Sequence, residues 1–292
     1  MKVLALILAL LCSYSALADV LPAWQAAGGH DDPHLGQVWD TRAERWLEPS
    51  QLVDLLAEQP RVIVGERHDH PDHHALQLWL LEQLRARREQ GALVMEMLQP
   101  SQQSRVDALQ GALLPADAEL NERLDWQPGW DWKLYGPLVR WGLAIPQRLL
   151  AANLDRDQLM TLYRDPQTQV LGYSAAVRQQ LEQIIVDSHC GLIEPAQVAP
   201  MLSIQHARDV RMAEILAQAP APALLISGAY HARRDLGVPL HWQSAWGPQP
   251  VVVLLSEVGT ALSGRDQADY IWLAPSLPEQ DYCEQMRQGR ED

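Results

Sequence analysis

The chain has 292 residues, with 23 Lys+Arg against 37 Asp+Glu and a formal net charge of −14 at pH 7. That balance excludes nonspecific nucleic-acid binding, which needs a basic footprint, so no nucleic-acid partner is expected. Three cysteines are too few for a four-thiolate zinc or iron–sulfur site.

Met1-Lys2 precedes an apolar stretch from Val3 to Leu11, followed by the small residues Ala16-Leu17-Ala18. This pattern reads as a secretory signal peptide over residues 1–18, too short for a membrane span. Leu11 ahead of Cys12 makes a poor lipoprotein signal. The mature protein is therefore expected in the periplasm, soluble or associated with the outer membrane. Export leaves Cys190 and Cys283, which are either one disulfide or two unrelated thiols.

Residues 19–45 are rich in Gly, Pro, His and Asp and show no periodicity. Leu52, Leu55 and Leu56 share a helical face behind Ser50 as N-cap, and Pro60 ends that helix. A strand begins at Arg61, a helix runs from His73 to about Arg88, and a second strand spans Ala92 to Met97. Short connections make this a parallel strand–helix–strand unit.

Further helices are predicted at 101–109, 120–124 and 135–142, with an edge strand near 144–153 that Pro146 can only begin. Residues 155–220 form a helical insertion, with helices over 170–186, 200–211 and 211–217. Strands return at 223–228, 250–256 and 271–273. The fold class is thus α/β, a mostly parallel central sheet flanked by helices, with a helical subdomain inserted before the final strands. The domain covers residues 19–278, and residues 279–292 read as a polar tail.

Two motifs carry the chemistry, Gly65-Glu66-Arg67-His68 and Gly228-Ala229-Tyr230-His231, each after an apolar run. Between them Leu93-Val94-Met95 ends on Glu96. As parallel strands these runs bring two imidazoles and two carboxylates to one rim, where open α/β sheets bind ligands. Gly65 allows a tight strand exit. Glu66 can accept a proton from His68, hold a metal or act as a base, and its dull alternative is a surface pair with Arg67. Of His70, His73 and His74, only His74 is expected to look back at the rim.

Glu96 needs a partner, either Arg67 or Arg148 or a functional histidine. Arg233 or Arg234 can clamp a carboxylate such as a haem propionate, or simply pair with Asp235. His206 is as readily a packed helix residue as a ligand contact, and Arg208 and Asp209 read as caps or scaffolding. The aromatic segment 126–141, with Trp132, Tyr135 and Trp141, either packs the core or frames a planar ligand against the helical insertion.

Val62-Ile63-Val64-Gly65-Glu66-Arg67-His68, Val94-Met95-Glu96-Met97 and Trp132-Lys133-Leu134-Tyr135-Gly136-Pro137 resemble segments of the ChaN-type haem-binding uptake proteins. The firmest matches are Gln205-His206-Ala207-Arg208-Asp209 and Gly228-Ala229-Tyr230-His231-Ala232-Arg233-Arg234-Asp235. The resemblance implies a bacterial envelope protein of haem or iron uptake, binding haem b (iron protoporphyrin IX) between the protomers of a homodimer.

An outer-membrane haem receptor or a periplasmic haem transporter is the implied partner. By the same resemblance Tyr135 takes the role of haem-iron ligand, with His231 as a second metal contact. His68, His74, His206, Tyr230 and Arg233 are the remaining cofactor-binding candidates. The family commonly has Gly-Asn-Gly-His where this chain has Gly-Ala-Tyr-His, so Tyr230 either adds a ligand or fills space. The related Tiki, TraB and erythromycin-esterase proteins imply an alternative. In it His68, Glu66, Glu96 and His231 form the catalytic centre of a metal-dependent hydrolase or protease.

Overall fold

Along the three central strands, alternate side chains go to opposite faces and both faces are dry. Val62, Val64, Leu93, Met95, Leu224 and Ile226 join one apolar cluster. Ile63, Val94 and Leu225 join a second on the other side. Strands buried on both faces need helices on both faces, which is why these runs are continuously apolar rather than alternating. The computed structural model describes residues 20–166 and 173–288.

The chain begins with β1 (Val38–Asp40), β2 (Arg45–Leu47), α1 (Pro49–Ala57), β3 (Arg61–Glu66), α2 (Pro71–Arg87) and β4 (Ala92–Met95). Next come α3 (Gln103–Leu109), α4 (Asp117–Leu124), α5 (Trp132–Ala144) and β5 (Arg148–Ala151). The helical insertion comprises α6 (Arg156–Arg164), α7 (Ala175–Ser188) and α8 (Pro195–Gln218). The chain ends with β6 (Ala223–Gly228), α9 (Ala229–Ala232), β7 (Val251–Glu257), β8 (Tyr270–Ala274) and α10 (Tyr282–Gln288).

The sheet order is β2-β1-β8-β7-β3-β6-β4-β5. The run from β8 to β5 is parallel, and β1 and β2 add antiparallel strands at one edge. The mixed α/β architecture with a helical insertion is as the sequence indicated. Leu181, Ile185 and Leu202 of the insertion form a small core with Leu236, which follows α9.

Several local expectations change. Glu48, not Ser50, caps α1, through a reciprocal capping box with Gln51, because Pro49 fits the first helical position. The stretches 200–211 and 211–217 are one helix, α8, which tolerates Pro200 in its second turn. The unpatterned N-terminal region contains β1 and β2, whose three-residue length leaves no period to read.

Cys190 and Cys283 form a disulfide. The C-terminal segment that read as a plain polar tail carries α10. The expected leader 1–18, with Cys12, lies outside the described residues, as do 167–172 and 289–292. No helix among the described residues is long and apolar enough to cross a membrane.

Candidate functional site

Register places the site. Glu66, the last residue of β3, is paired with Gly228, the last of β6, and Met95 of β4 is paired with Ile226. Glu66, Gly228 and Glu96 therefore fall along the carboxyl edge of three adjacent strands, at the crevice typical of ligand sites in such sheets.

His68 stands two residues beyond β3. Its Nδ1 lies 2.7 Å from Glu66 Oε1, an oxygen that also accepts the Tyr135 hydroxyl at 3.0 Å. Burial opposes charge on His68, but the hydrogen bond and charge of Glu66, backed by Glu96 and Asp69, raise its pKa to about 9. The ring is therefore an imidazolium at neutral pH, with its side chain 45% exposed.

His231 sits in α9, one turn past β6. Its Nδ1 donates to Asp209 Oδ1 at 2.6 Å and its Nε2 faces Glu96 Oε1 at 3.4 Å. Glu96 Oε2 accepts the Gly228 amide at 2.8 Å. Burial works against the His231 charge, but Glu96 and Asp209 together raise its pKa. Burial likewise opposes charge on Glu96, whose pKa is nevertheless lowered by His231, His68 and the Gly228 amide. Neither Arg67 nor Arg148 is its partner. Arg67 pairs with Asp69 and Glu257, and Arg148 with Asp107.

Gly228 joins the two halves. A Cβ there would lie 2.8 Å from His68 Cε1 and 2.9 Å from Nε2, so only glycine lets the imidazole rest on the β6 exit. The need at Gly65 is also closeness rather than a tight exit. Its Cβ would lie 2.5 Å from Ala232 Cβ and 2.6 Å from Leu254 Cδ2.

A cavity of about 490 Å³ opens over this rim, lined by His68, Tyr230, His231, Arg233, Leu254 and Ser256 among others. That volume falls within the usual range for small-molecule and cofactor sites. Of the residues singled out in the sequence, Glu66, His68, Tyr230, His231 and Arg233 line it. Tyr230 is half exposed, and Arg233 is clamped in a two-point pair with Asp235.

The others lie elsewhere. Tyr135 is 1% exposed beneath His68, and burial followed by the Glu66 charge pushes its pKa upward. The resemblance implied an iron-ligand role for Tyr135, and here its hydroxyl donates a hydrogen bond to the buried Glu66 carboxylate. His74 is buried too, its Nε2 3.0 Å from the His68 carbonyl oxygen and its ring edge-on to Tyr135. His206 lines a separate cavity of about 290 Å³ and packs against Tyr173 and His241.

The groove expected from segment 126–141 is not where the cavity forms. Trp126, Tyr135 and Trp141 are core residues, and Trp130 meets His68 edge-on at 4.9 Å. Asp209 is the residue whose role the sequence understated. It is fully buried, takes His231 on one oxygen and accepts the Tyr173 hydroxyl on the other at 3.1 Å. Its signal was an acid one helical turn after Gln205, whose amide also reaches His231 at 3.0 Å.

Residues 52–241 match the family model described as haem-binding uptake, Tiki superfamily, ChaN. The chain belongs to the ChaN family. ChaN of Campylobacter jejuni, solved with cofacially bound haem, is 25% identical over 80% of this chain and 95% of its own, with a TM-score of 0.70. An erythromycin esterase variant in its open conformation is 15% identical, covering 80% of this chain and 81% of its own, at a TM-score of 0.44. No curated protein matches the chain.

Among the described residues no group of three or more His, Cys, Asp or Glu is arranged to hold a metal ion. The rim carboxylates face imidazoles instead, Glu66 with His68, and Glu96 and Asp209 with His231. The geometry thus gives the metal-dependent hydrolase reading no support.

Proposed function

We propose that this ChaN-family protein binds haem b in the rim cavity. The observation that carries the reading is the wall of that cavity. A half-exposed phenol, Tyr230, shares the cavity lining with an imidazolium, His68, and with the apolar side chains Leu254 and Leu255. These are the groups a porphyrin needs: an oxygen donor for ferric iron, a cation for a propionate and a face without polar atoms. Bound haem would supply ferric iron, a Lewis acid able to change oxidation state.

In this reading Tyr230 is the iron ligand and His68 meets a propionate. His231 positions the β6 exit from its buried place between Glu96 and Asp209. An exposed tyrosine can offer its oxygen to iron without leaving a buried partner unpaired, which Tyr135, bonded to Glu66, cannot. The leader over residues 1–18 supports export to the periplasm, with association to the outer membrane as the further step. A haem-linked homodimer, and hand-over to or from an outer-membrane receptor or periplasmic transporter, complete the uptake role.

Titration of the mature protein with ferric haem, followed by absorbance, tests the reading. It predicts a saturable Soret change with a stoichiometry near one per chain and haem-dependent dimerisation in sedimentation. A strictly linear, non-saturating signal overturns it.

A further inference from the structure

Adjacent residues of α10 hold two different walls of the cavity. Cys283 is bonded to Cys190, at the turn between α7 and α8 in the helical insertion. Its neighbour Tyr282 is tied to the loop after β3. The Tyr282 hydroxyl donates to Asp69 Oδ2 at 2.6 Å and accepts from Arg67 Nη2 at 2.9 Å. The Arg67 guanidinium also lies 5.8 Å from the centre of the Tyr282 ring.

Arg67 lines the cavity on the sheet side and Gln205 of α8 lines it on the helical side. His189, next to Cys190, lines a neighbouring cavity together with Gln205 and Tyr230. A second anchor precedes the helix. Glu257 accepts Arg67 on one oxygen and the Leu277 amide on the other.

We propose that α10 is a redox-controlled strap: the Cys190–Cys283 bond ties the helical insertion to the sheet rim and limits how far the haem cavity opens. The inference rests on the haem reading above and names how that site is controlled. The Tyr282 contacts are exposed and each is worth little alone, while the Glu257 anchor is partly buried. The covalent bond is what makes the strap persist. The structure thus pairs one strong, redox-sensitive attachment with a weak, local one.

Opening the strap needs a dithiol. One thiolate attacks a sulfur of the Cys190–Cys283 bond, which breaks as a mixed disulfide forms. The second thiol of the reductant then displaces the other protein sulfur. Two electrons and two protons end on Cys190 and Cys283, and the dithiol leaves as a cyclic disulfide. With the bond open, only the Tyr282 contacts and the Glu257–Leu277 anchor hold this segment. The α7–α8 turn around Cys190 can then move from the rim while Asp209 keeps the middle of α8 on the sheet.

The test compares haem association by stopped flow in four forms of the mature chain. These are oxidised wild type, wild type reduced with dithiothreitol and desalted anaerobically, the Cys190→Ser/Cys283→Ser double variant, and Tyr282→Phe. The double variant has no thiol that could itself ligate iron. It should associate roughly tenfold faster than oxidised protein, as expected when a closed lid limits access. It should also be indifferent to dithiothreitol, and reduced wild type should match it. Tyr282→Phe, with the disulfide intact, should show a smaller rise.

Equal association rates in the oxidised and double-variant proteins overturn the strap. If no form binds haem, the cofactor reading fails and amide hydrogen exchange without haem decides the strap by itself. Faster exchange across Glu66–His70 in the double variant supports the strap, and unchanged exchange there rejects it.

Discussion

His231 Nδ1 and Asp209 Oδ1 lie 2.6 Å apart, although 22 residues separate them in the chain. This one contact locks the exit of β6 to the middle of α8 and so fixes the helical insertion against the sheet. It also fixes the proton on Nδ1, leaving Nε2 for Glu96. The cavity above inherits its shape from that buried pair.

Asp209→Ala should therefore be costly. It removes one partner of a fully buried ion pair, a change worth about 3–5 kcal/mol. Chemical denaturation should show a lowered midpoint with an unchanged slope. An unaltered midpoint means that the pair does not support the fold.

The His68 charge should be visible directly. Nuclear magnetic resonance titration should place its pKa at about 9 rather than the ordinary 6.5, and Glu66→Gln should return it toward 6.5. A folded-state pKa above the unfolded value stabilises the fold at low pH. That contribution is complete below about 6.5 and is lost as pH rises through about 9. Solvent screening of the half-exposed ring keeps the effect small. A titration near 6.5 in the unaltered protein contradicts the assigned pairing.

Gly228→Ala should disturb the site without emptying the core. The added methyl meets the His68 ring, with less than 3 Å between them. The imidazole must swing away from Glu66, so its pKa should fall toward the ordinary value, a shift that the same titration reads. An unmoved His68 resonance would show that the backbone gives way instead.

Much of this arrangement is legible in the chain because it rests on strand periodicity and on the first polar residues past each strand's end. The runs ending at Val64, Met95 and Ile226 are apolar at every position, and such runs lie parallel and buried. Their next polar residues must then share one edge, which is how Glu66, Glu96, His68 and His231 come together. Partners supplied from outside the strands are not legible in that way. Asp209 reads as an ordinary helix residue until α8 is laid across the sheet, and whether Tyr135 packs the core or faces a ligand shows only once α5 packs against His68. Tyr282 and Cys283 sit in a polar stretch without pattern, so their attachment appears only in three dimensions.

The disulfide predicts a stability difference separate from its effect on haem. Its cysteines are 93 residues apart, and closing a loop of that size stabilises by about 4–5 kcal/mol in the chain-entropy account. The Cys190→Ser/Cys283→Ser variant should unfold at lower denaturant by up to that amount. A midpoint equal to that of the oxidised wild type would show that the unfolded chain gains nothing from release.

The assignment of iron to the rim cavity is tested most directly by the absorption spectrum of the ferric haem complex in two single variants, Tyr230→Phe and Tyr135→Phe. Tyr230→Phe should lose the phenolate-to-iron charge-transfer band and shift the Soret maximum, while Tyr135→Phe keeps the wild-type spectrum. The reverse pattern, with the band lost only in Tyr135→Phe, would contradict the account and move the haem to the buried side of His68.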